Sequence, residues 1–386
     1  MFQVLILSLI FSIQLACVHA PDKPETSFSL MQYLLKINDS SKNSNNTNGN
    51  SSNLIFDLAA IFDTGQIGCW NGAGIAVIGG CPGTGHDGAF IDTPRQRSFG
   101  TPMQNNTYSS DYTTLDRLHG LVWKTCAEGL TGSNCSAGAI APISWTDANA
   151  GLAGSCMSLN TMNGGNGYAE KTNWRIPSVK ELASLINYAN NPYIETSSFP
   201  NTFTGGNYLA ATSDSANPAG NWSINFSVAG LSILPVAKNS PNNLRCVSGN
   251  SIPAFSFLDR GDGTIRDLNT GLLWQKCTSG LTVTACTGVS NTLDWNQAIN
   301  DCNNLALDGR TWRLPNVNEL LSIVDYTTPG LAIPNAFFPN TEIGLYWTST
   351  TFDNVKSSAH LIDFTTGSLG TNDKSSFLFT RCVTTY

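Results

Sequence analysis

Trp174-Arg-Ile-Pro-Ser-Val-Lys-Glu-Leu182 returns later in the chain as Trp312-Arg-Leu-Pro-Asn-Val-Asn-Glu-Leu320, with six of nine residues unchanged. Within each stretch the spacing of Ser178 to Glu181, and of Asn316 to Glu319, is that of a capping box. The first side chain accepts from the backbone N–H three residues on, and the glutamate reaches back to the cap. A helix is expected to start at each. Leu182, Leu185 and Ile186, and in the second stretch Leu320, Ile323 and Val324, then fall at the i, i+3, i+4 spacing of a buried helical stripe.

Outward from these two helices the whole chain beyond residue 110 reads as a repeat. Gly120-Leu-Val-Trp123-Lys-Thr-Cys126 answers Gly271-Leu-Leu-Trp274-Gln-Lys-Cys277, and a second cysteine follows each, Cys135 and Cys286. Trp145 and Trp295 each lead to a third cysteine, Cys156 and Cys302. Phe199-Pro-Asn-Thr202 matches Phe338-Pro-Asn-Thr341, and the copies close on Lys238 with Arg245-Cys-Val247, and on Lys374 with Arg381-Cys-Val383. A second helix is expected at each Trp145 or Trp295, with Trp295, Ile299, Cys302 and Leu305 on one face. Residues 264–267, 346–350, 360–364 and 377–383 alternate as antiparallel strands do.

The chain has eleven cysteines. Setting Cys17 aside leaves an even number, as suits an oxidising compartment. Identical copies should bridge identically, which reduces the choices for the eight repeated cysteines to the three pairings open to four. The favoured set is Cys126–Cys135, Cys156–Cys246, Cys277–Cys286 and Cys302–Cys382, with Cys69 and Cys81 paired locally. The long bridges would pin an inward-facing helix to the final strand.

Residues 2–16 form an apolar run of signal-peptide length, shorter than the roughly 20 residues of a spanning helix. No Lys or Arg precedes it, and cleavage after Ala20 would leave Pro21 first. Ala16-Cys17 instead has the pattern of a bacterial lipoprotein, with Cys17 acylated. The competing reading discards Cys17 with the signal. Residues 38–53 hold no apolar side chain to bury and read as a flexible tether. Charge is sparse, 12% of residues, with a net of −7. No basic stripe invites nucleic acid.

The combination of Thr64-Gly-Gln-Ile-Gly-Cys69, Cys81-Pro-Gly-Thr-Gly-His-Asp-Gly88, Asp259-Arg-Gly-Asp-Gly-Thr264, Gly271-Leu-Leu-Trp274, Trp312-Arg-Leu-Pro315, Tyr346-Trp-Thr-Ser349 and Arg381-Cys-Val383 resembles the C-terminal domain of bacterial Lcl collagen-like adhesins. The second copy fits nearly throughout, whereas the first is degraded at Tyr208-Leu-Ala-Ala-Thr212, where Trp347 has no counterpart. The resemblance implies an α+β fold of two tandem, disulfide-stapled C-type-lectin-like domains, each with short helices packed on antiparallel strands. The expected layout is an export signal over 1–17, a tether over 18–53, a first domain over 54–250 and a second over 251–386. There is no collagen-like stalk, so trimerisation and glycosaminoglycan binding do not follow from the resemblance.

Several residue groups invite a functional reading. Asp259, Asp262 and Asp267 surround a Gly-rich turn but fail the spacing of a calcium-binding EF-hand loop, and a hairpin turn is the favoured reading. Arg260-Gly-Asp262 reads as a coincidental integrin-type tripeptide. Arg175 with Glu181, and Arg313 with Glu319, read as structural braces. The four histidines, His19, His86, His119 and His360, provide neither a multi-histidine zinc site nor a base repeated in both copies. No nucleophile elbow or metalloprotease motif is present, so no enzyme activity is expected. A ligand face is expected near the end of the second copy, at Trp347, Ser349, His360, Asp363, Asn372 and Lys374, where an exposed Trp would stack on a sugar or clamp a protein. The competing reading puts Trp347 in the core. The expectation is therefore an outer-membrane or cell-surface lipoprotein, lipid-anchored to its membrane, that binds a carbohydrate or protein ligand. It needs no cofactor, with calcium left open, and its oligomeric state is unread. A structural envelope protein without a soluble ligand is the alternative, and a secreted enzyme, which the resemblance implies through the formylglycine-generating enzymes that share the lectin-like fold, is the third reading.

Overall fold

The computed structural model describes residues 56–227 and 229–386. Cys17, the export signal, the tether and His19 lie outside them. In the first copy the strands are β1 (Met103–Gln104), β2 (Tyr112–Leu115), β3 (Val122–Lys124), β4 (Leu130–Thr131), β5 (Ala137–Gly138), β6 (Trp174–Arg175), β7 (Tyr208–Ser213), β8 (Gly220–Asn225), β9 (Ser232–Ala237) and β10 (Val247–Ser248). The second has β11 (Phe257–Asp259), β12 (Thr264–Asp267), β13 (Leu272–Gln275), β14 (Leu345–Thr351), β15 (Ser358–Asp363), β16 (Ser368–Asp373) and β17 (Val383–Thr385). Helices α1 (Trp145–Asn149) and α2 (Val179–Ala183) of the first copy answer α3 (Trp295–Asn303) and α4 (Val317–Ser322) of the second. The fold is α+β with antiparallel pairing throughout these sheets.

Both expected capping boxes form, at Ser178 with Glu181 and at Asn316 with Glu319. A third, Asp294 with Gln297, starts α3. Each glutamate also takes a guanidinium. Arg175 donates to both oxygens of Glu181 at 2.7 Å, and Arg313 grips Glu319 in the same bidentate way. One carboxylate thus fixes a helix start and the strand entering it.

The copies do not stand apart. Strands β7, β8 and β9 of the first copy and β14, β15 and β16 of the second lie in one six-stranded sheet, joined where β9 pairs with β16 at Ile233 and Leu369. One core runs beneath this sheet and takes Trp123, Trp222, Ile233 and Phe226 from the first copy with Trp274, Tyr326, Tyr346 and Phe364 from the second. Trp222 meets Tyr326 edge-to-face at 4.7 Å between ring centres. Each copy adds a smaller cluster around its long disulfide, Cys156–Cys246 in one and Cys302–Cys382 in the other. Cys126–Cys135, Cys277–Cys286 and Cys69–Cys81 complete the five bridges. In the chain-entropy model each long bridge is worth roughly 4–5 kcal/mol. Five disulfides suit an exported chain.

Residues 63–93 precede the repeat in sequence and touch the first copy where the Tyr188 N–H donates to the carbonyl of Thr64, but bond repeatedly to the second. Gln66 exchanges two hydrogen bonds with the backbone of Thr351, at 2.9 and 2.8 Å. Lys374 donates to the carbonyl of Trp70 at 2.8 Å, and Asn316 to that of Thr93 at 3.2 Å. Buried Asp87 accepts from Thr64 and Thr350, both at 2.7 Å. This strap meets β14 at Thr350 and Thr351, beyond the stretch edged by Phe379 and Pro315, and both faces of β14 are buried from Tyr346 to Thr351.

The run 377–383 is not one strand. Phe379 exchanges bonds with Leu345 and Trp347, while Thr380 and Cys382 accept from Ser279 and Gln275. Successive residues therefore bond to opposite neighbours, and a regular ladder is confined to Val383–Thr385. Arg381, fully buried, fills the gap and donates to the carbonyl of Gln275 at 2.8 Å and to the Thr341 hydroxyl at 2.8 Å.

The two braces differ in exposure, 7% for the Arg313 side chain against 30% for Arg175. Removing one partner of a buried pair costs about 3–5 kcal/mol. Arg313→Ala is expected to lose that much in urea-denaturation stability, and Arg175→Ala distinctly less; equal losses would contradict the assigned burial.

Candidate functional site at the junction of the copies

The six residues expected to form a ligand face do not form one. Trp347 is wholly buried, with its indole N–H on the carbonyl of Leu293 at 2.9 Å and its ring among Trp295, Trp312 and Leu361. Ser349 is buried and its N–H is held by the carbonyl of Pro315. His360 sits in the core between the rings of Tyr188, from the first copy, and Phe352. Burial pushes its imidazole down to about 3, so it is neutral. Lys374 lies over the Trp295 ring and spends its ammonium on the carbonyl of Trp70 in the strap and on the Thr351 hydroxyl of β14. Asp363 and Asn372 are half-buried turn formers, accepting from Thr365 and from Asp373 and Ser376. The stacking surface expected at Trp347 is thus corrected. β14 alternates in sequence like a half-exposed strand, but α3 covers one side and the strap meets its end at Thr350 and Thr351.

The acidic turn at 259–267 uses its carboxylates internally. Asp259 pairs with Lys276 at 2.7 Å, Asp262 accepts from the backbone of Thr264, and Asp267 from that of Asn269. Arg260 is held by Asp308 at 2.5 Å.

A cavity of about 90 Å³ opens instead where α2 meets α4. The two helices line it with corresponding residues, Lys180 with Asn318, Ala183 with Leu321, and Ser184 with Ser322. The pseudo-symmetry of the repeat passes through this point, and the chemistry is unequal across it. Ile252, Pro253 and Phe255, from the link between copies, and Ile61 and Phe62, from the segment before the first, close the remaining walls. The space is several times the ~10–15 Å³ that one water needs, so it admits a group of a few heavy atoms.

Lys180 and Asp267 face each other across this cavity. The Lys180 ammonium donates to the carbonyl of Ser322 at 2.8 Å and lies 4.0 Å from the centre of the Phe255 ring. Burial pulls the amine down to about 7, against the opposing charges of Asp267 and Asp325. Burial lifts Asp267, on the facing wall, above the usual carboxylate range. His119 closes the floor, with one ring nitrogen 2.6 Å from Asp116 and the other 2.9 Å from the carbonyl of Ala60. Burial works against a charge there, yet the bond to Asp116 and its charge hold the imidazole above its ordinary value. Both His119 nitrogens are committed, so the ring is a brace.

The two copies thus share capping boxes, braces, helices and disulfide pattern position by position. The Lcl C-terminal domain family model matches residues 112–248 and 263–384. The chain belongs to the Lcl C-terminal domain family, in two tandem copies. No curated protein matches the chain. Both Lcl C-terminal matches begin after the strap, so the residues that bond Thr351 and Lys374 of the second copy are contributed from outside either match. The cavity residues were missed in the sequence because each looks ordinary in its own copy. The signal was in the alignment of the Lcl C-terminal copies, where Lys180 replaces the neutral Asn318 at the second helical position of a matched capping box.

The Lys180 amine titrates below its ordinary 10.5 in the folded chain, so between about 7 and 10.5 the unfolded chain binds more protons and stability rises with pH. Its penalty is full below about 7 and fades towards 10.5. Lys180→Met is therefore expected to gain melting temperature relative to wild type near about pH 6 and to lose that advantage near about pH 10; a pH-independent difference would refute the assignment.

Proposed function

We propose that this is a non-catalytic, exported ligand-binding protein or adhesin, held at the cell surface by a lipid on Cys17, that takes a carbohydrate or protein ligand. The observation that carries the reading is the junction cavity. It is a mainly apolar hollow with one amine, the usual composition of a recognition site. A projecting group of a few heavy atoms with an acceptor for Lys180 and an apolar flank for Phe255 and Leu321 fits it. A carboxylated or acetylated sugar substituent has that chemistry, and so has an acidic side chain on a protein.

Among the described residues no histidine stands ready as a base, which supports a binding role. His119 is committed at both nitrogens, and burial holds His86 down at about 4 and His360 down at about 3. The anchor rests on the Ala16-Cys17 sequence and the tether composition. Among the described residues no helix is long and apolar enough to cross a membrane.

A glycan and extracellular-matrix array, probed with the full chain and with Lys180→Met, tests the site. Wild-type binding that falls about tenfold or more in the variant, the loss of roughly 1.4 kcal/mol, is expected. Silence of the wild type on every spot would remove the adhesin reading, and undiminished binding by the variant would move the ligand elsewhere. Intact mass of the native protein checks the anchor, which is refuted by an unacylated N-terminus downstream of Cys17.

A further inference from the structure

From Thr64 to His86 no side chain carries a formal charge, since burial keeps the His86 imidazole neutral. The middle of this stretch is a loop closed by Cys69–Cys81 and projecting from the strap. Its aliphatic side chains point outward. Ile78 is 100% exposed, Ile67 70% and Ile75 63%, and Ile91 beside them is 56% exposed. Ile67, Val77, Pro82, Ala89 and Ile91 line a shallow groove along its base.

Part of the loop's backbone is hydrogen-bonded within the loop. Asn71 N–H donates to the carbonyl of Ile75, Val77 N–H to that of Cys69, and Gly80 N–H to that of Val77. Asn71 turns its side chain back to accept from Ala73 and Ile75, and the Thr84 hydroxyl donates to the carbonyl of Cys81. At the base, Lys356 lies 3.9 Å from the centre of the Trp70 ring and is itself paired with Asp353.

We infer that this stapled loop is a membrane-contact element that seats Ile75 and Ile78 in the interfacial region of a lipid bilayer, with Trp70 and Lys356 at headgroup level. A specific protein interface needs about one hydrogen bond per 100–200 Å², and the polar side chains here are spent on the loop itself. A bilayer asks for no directional partner. In its interfacial region, where water still reaches the backbone, it asks for exposed apolar side chains with a Trp at the boundary. The contact is apolar, because the local cation is neutralised by Asp353 and the chain as a whole carries −7. It does not depend on the ligand cavity.

The test uses the full chain with Cys17→Ser, so that no acyl group contributes, and phosphatidylcholine vesicles. An environment-sensitive fluorophore is placed on Ile78→Cys and, in a separate protein, on Val289→Cys, another highly exposed aliphatic position, 83% exposed and in the second copy. The expected result is a blue shift with vesicles at position 78 and none at 289. It should be insensitive to salt and to added phosphatidylglycerol. Ile75→Ser with Ile78→Ser should cut vesicle partitioning by about tenfold or more, the removal of roughly 1.4 kcal/mol of apolar contact. The melting temperature should be unchanged, which keeps misfolding out of the reading. No shift at 78, equal shifts at both positions, or a shift that appears with protein concentration in the absence of vesicles would overturn the inference, the last by making a second copy the occupant.

Discussion

Strands β9 and β16 would each end their own three-stranded unit with a row of unmatched N–H and C=O groups. An exposed edge of this kind recruits other chains. Here the corresponding edges of the two copies close on each other, and the rest of the architecture follows. Joining them forces α2 and α4 together beneath the sheet, merges the cores, and leaves between the helices the small hollow that holds Lys180. The repeat is thus the means by which one continuous sheet is built, and the two family copies share an interior.

Much of this was legible because it is written in short-range rules. The capping boxes, the helical stripes behind Leu182 and Leu320, the turn at 259–267 and the matched cysteine spacing all concern residues near one another in sequence, where backbone geometry decides the outcome. What escaped the sequence depends on neighbours far along the chain. Trp347 and His360 sit on strands whose alternation suggests one wet face, but Trp295 of α3 and Trp312 enclose the first, and Phe352 with the first copy's Tyr188 encloses the second. Lys374 looked like a free cation at a strand end because nothing local indicates that Trp70, some three hundred residues earlier, supplies its acceptor.

The copies keep their shared framework at unequal cost in burial. Arg245 and Arg381 are both fully enclosed, each turned to carbonyl groups and to a threonine hydroxyl, Thr202 or Thr341. Lys238 and Lys374 occupy matching places over Trp145 and Trp295, yet Lys374 is sealed beneath the strap while Lys238 reaches only the carbonyl of Pro218 in a more open setting. The divergence of Tyr208-Leu-Ala-Ala-Thr212 from the second copy's Tyr346-Trp-Thr-Ser-Thr350 follows the same asymmetry. Among the described residues the second copy has a strap to pack beneath and the first has no counterpart.

The strap also sets a timetable. Gln66 must wait for Thr351, 285 residues later, before its two hydrogen bonds can form. Contacts of such long sequence separation are slow to find, because the chain between them must be ordered first. During synthesis the first apolar loop to emerge is therefore the last to acquire its partner, and the second copy is finished only when the beginning of the chain is still attached. The two copies, alike enough to suggest interchangeable modules, cannot be cut apart or reordered without stripping the strap from the end of β14.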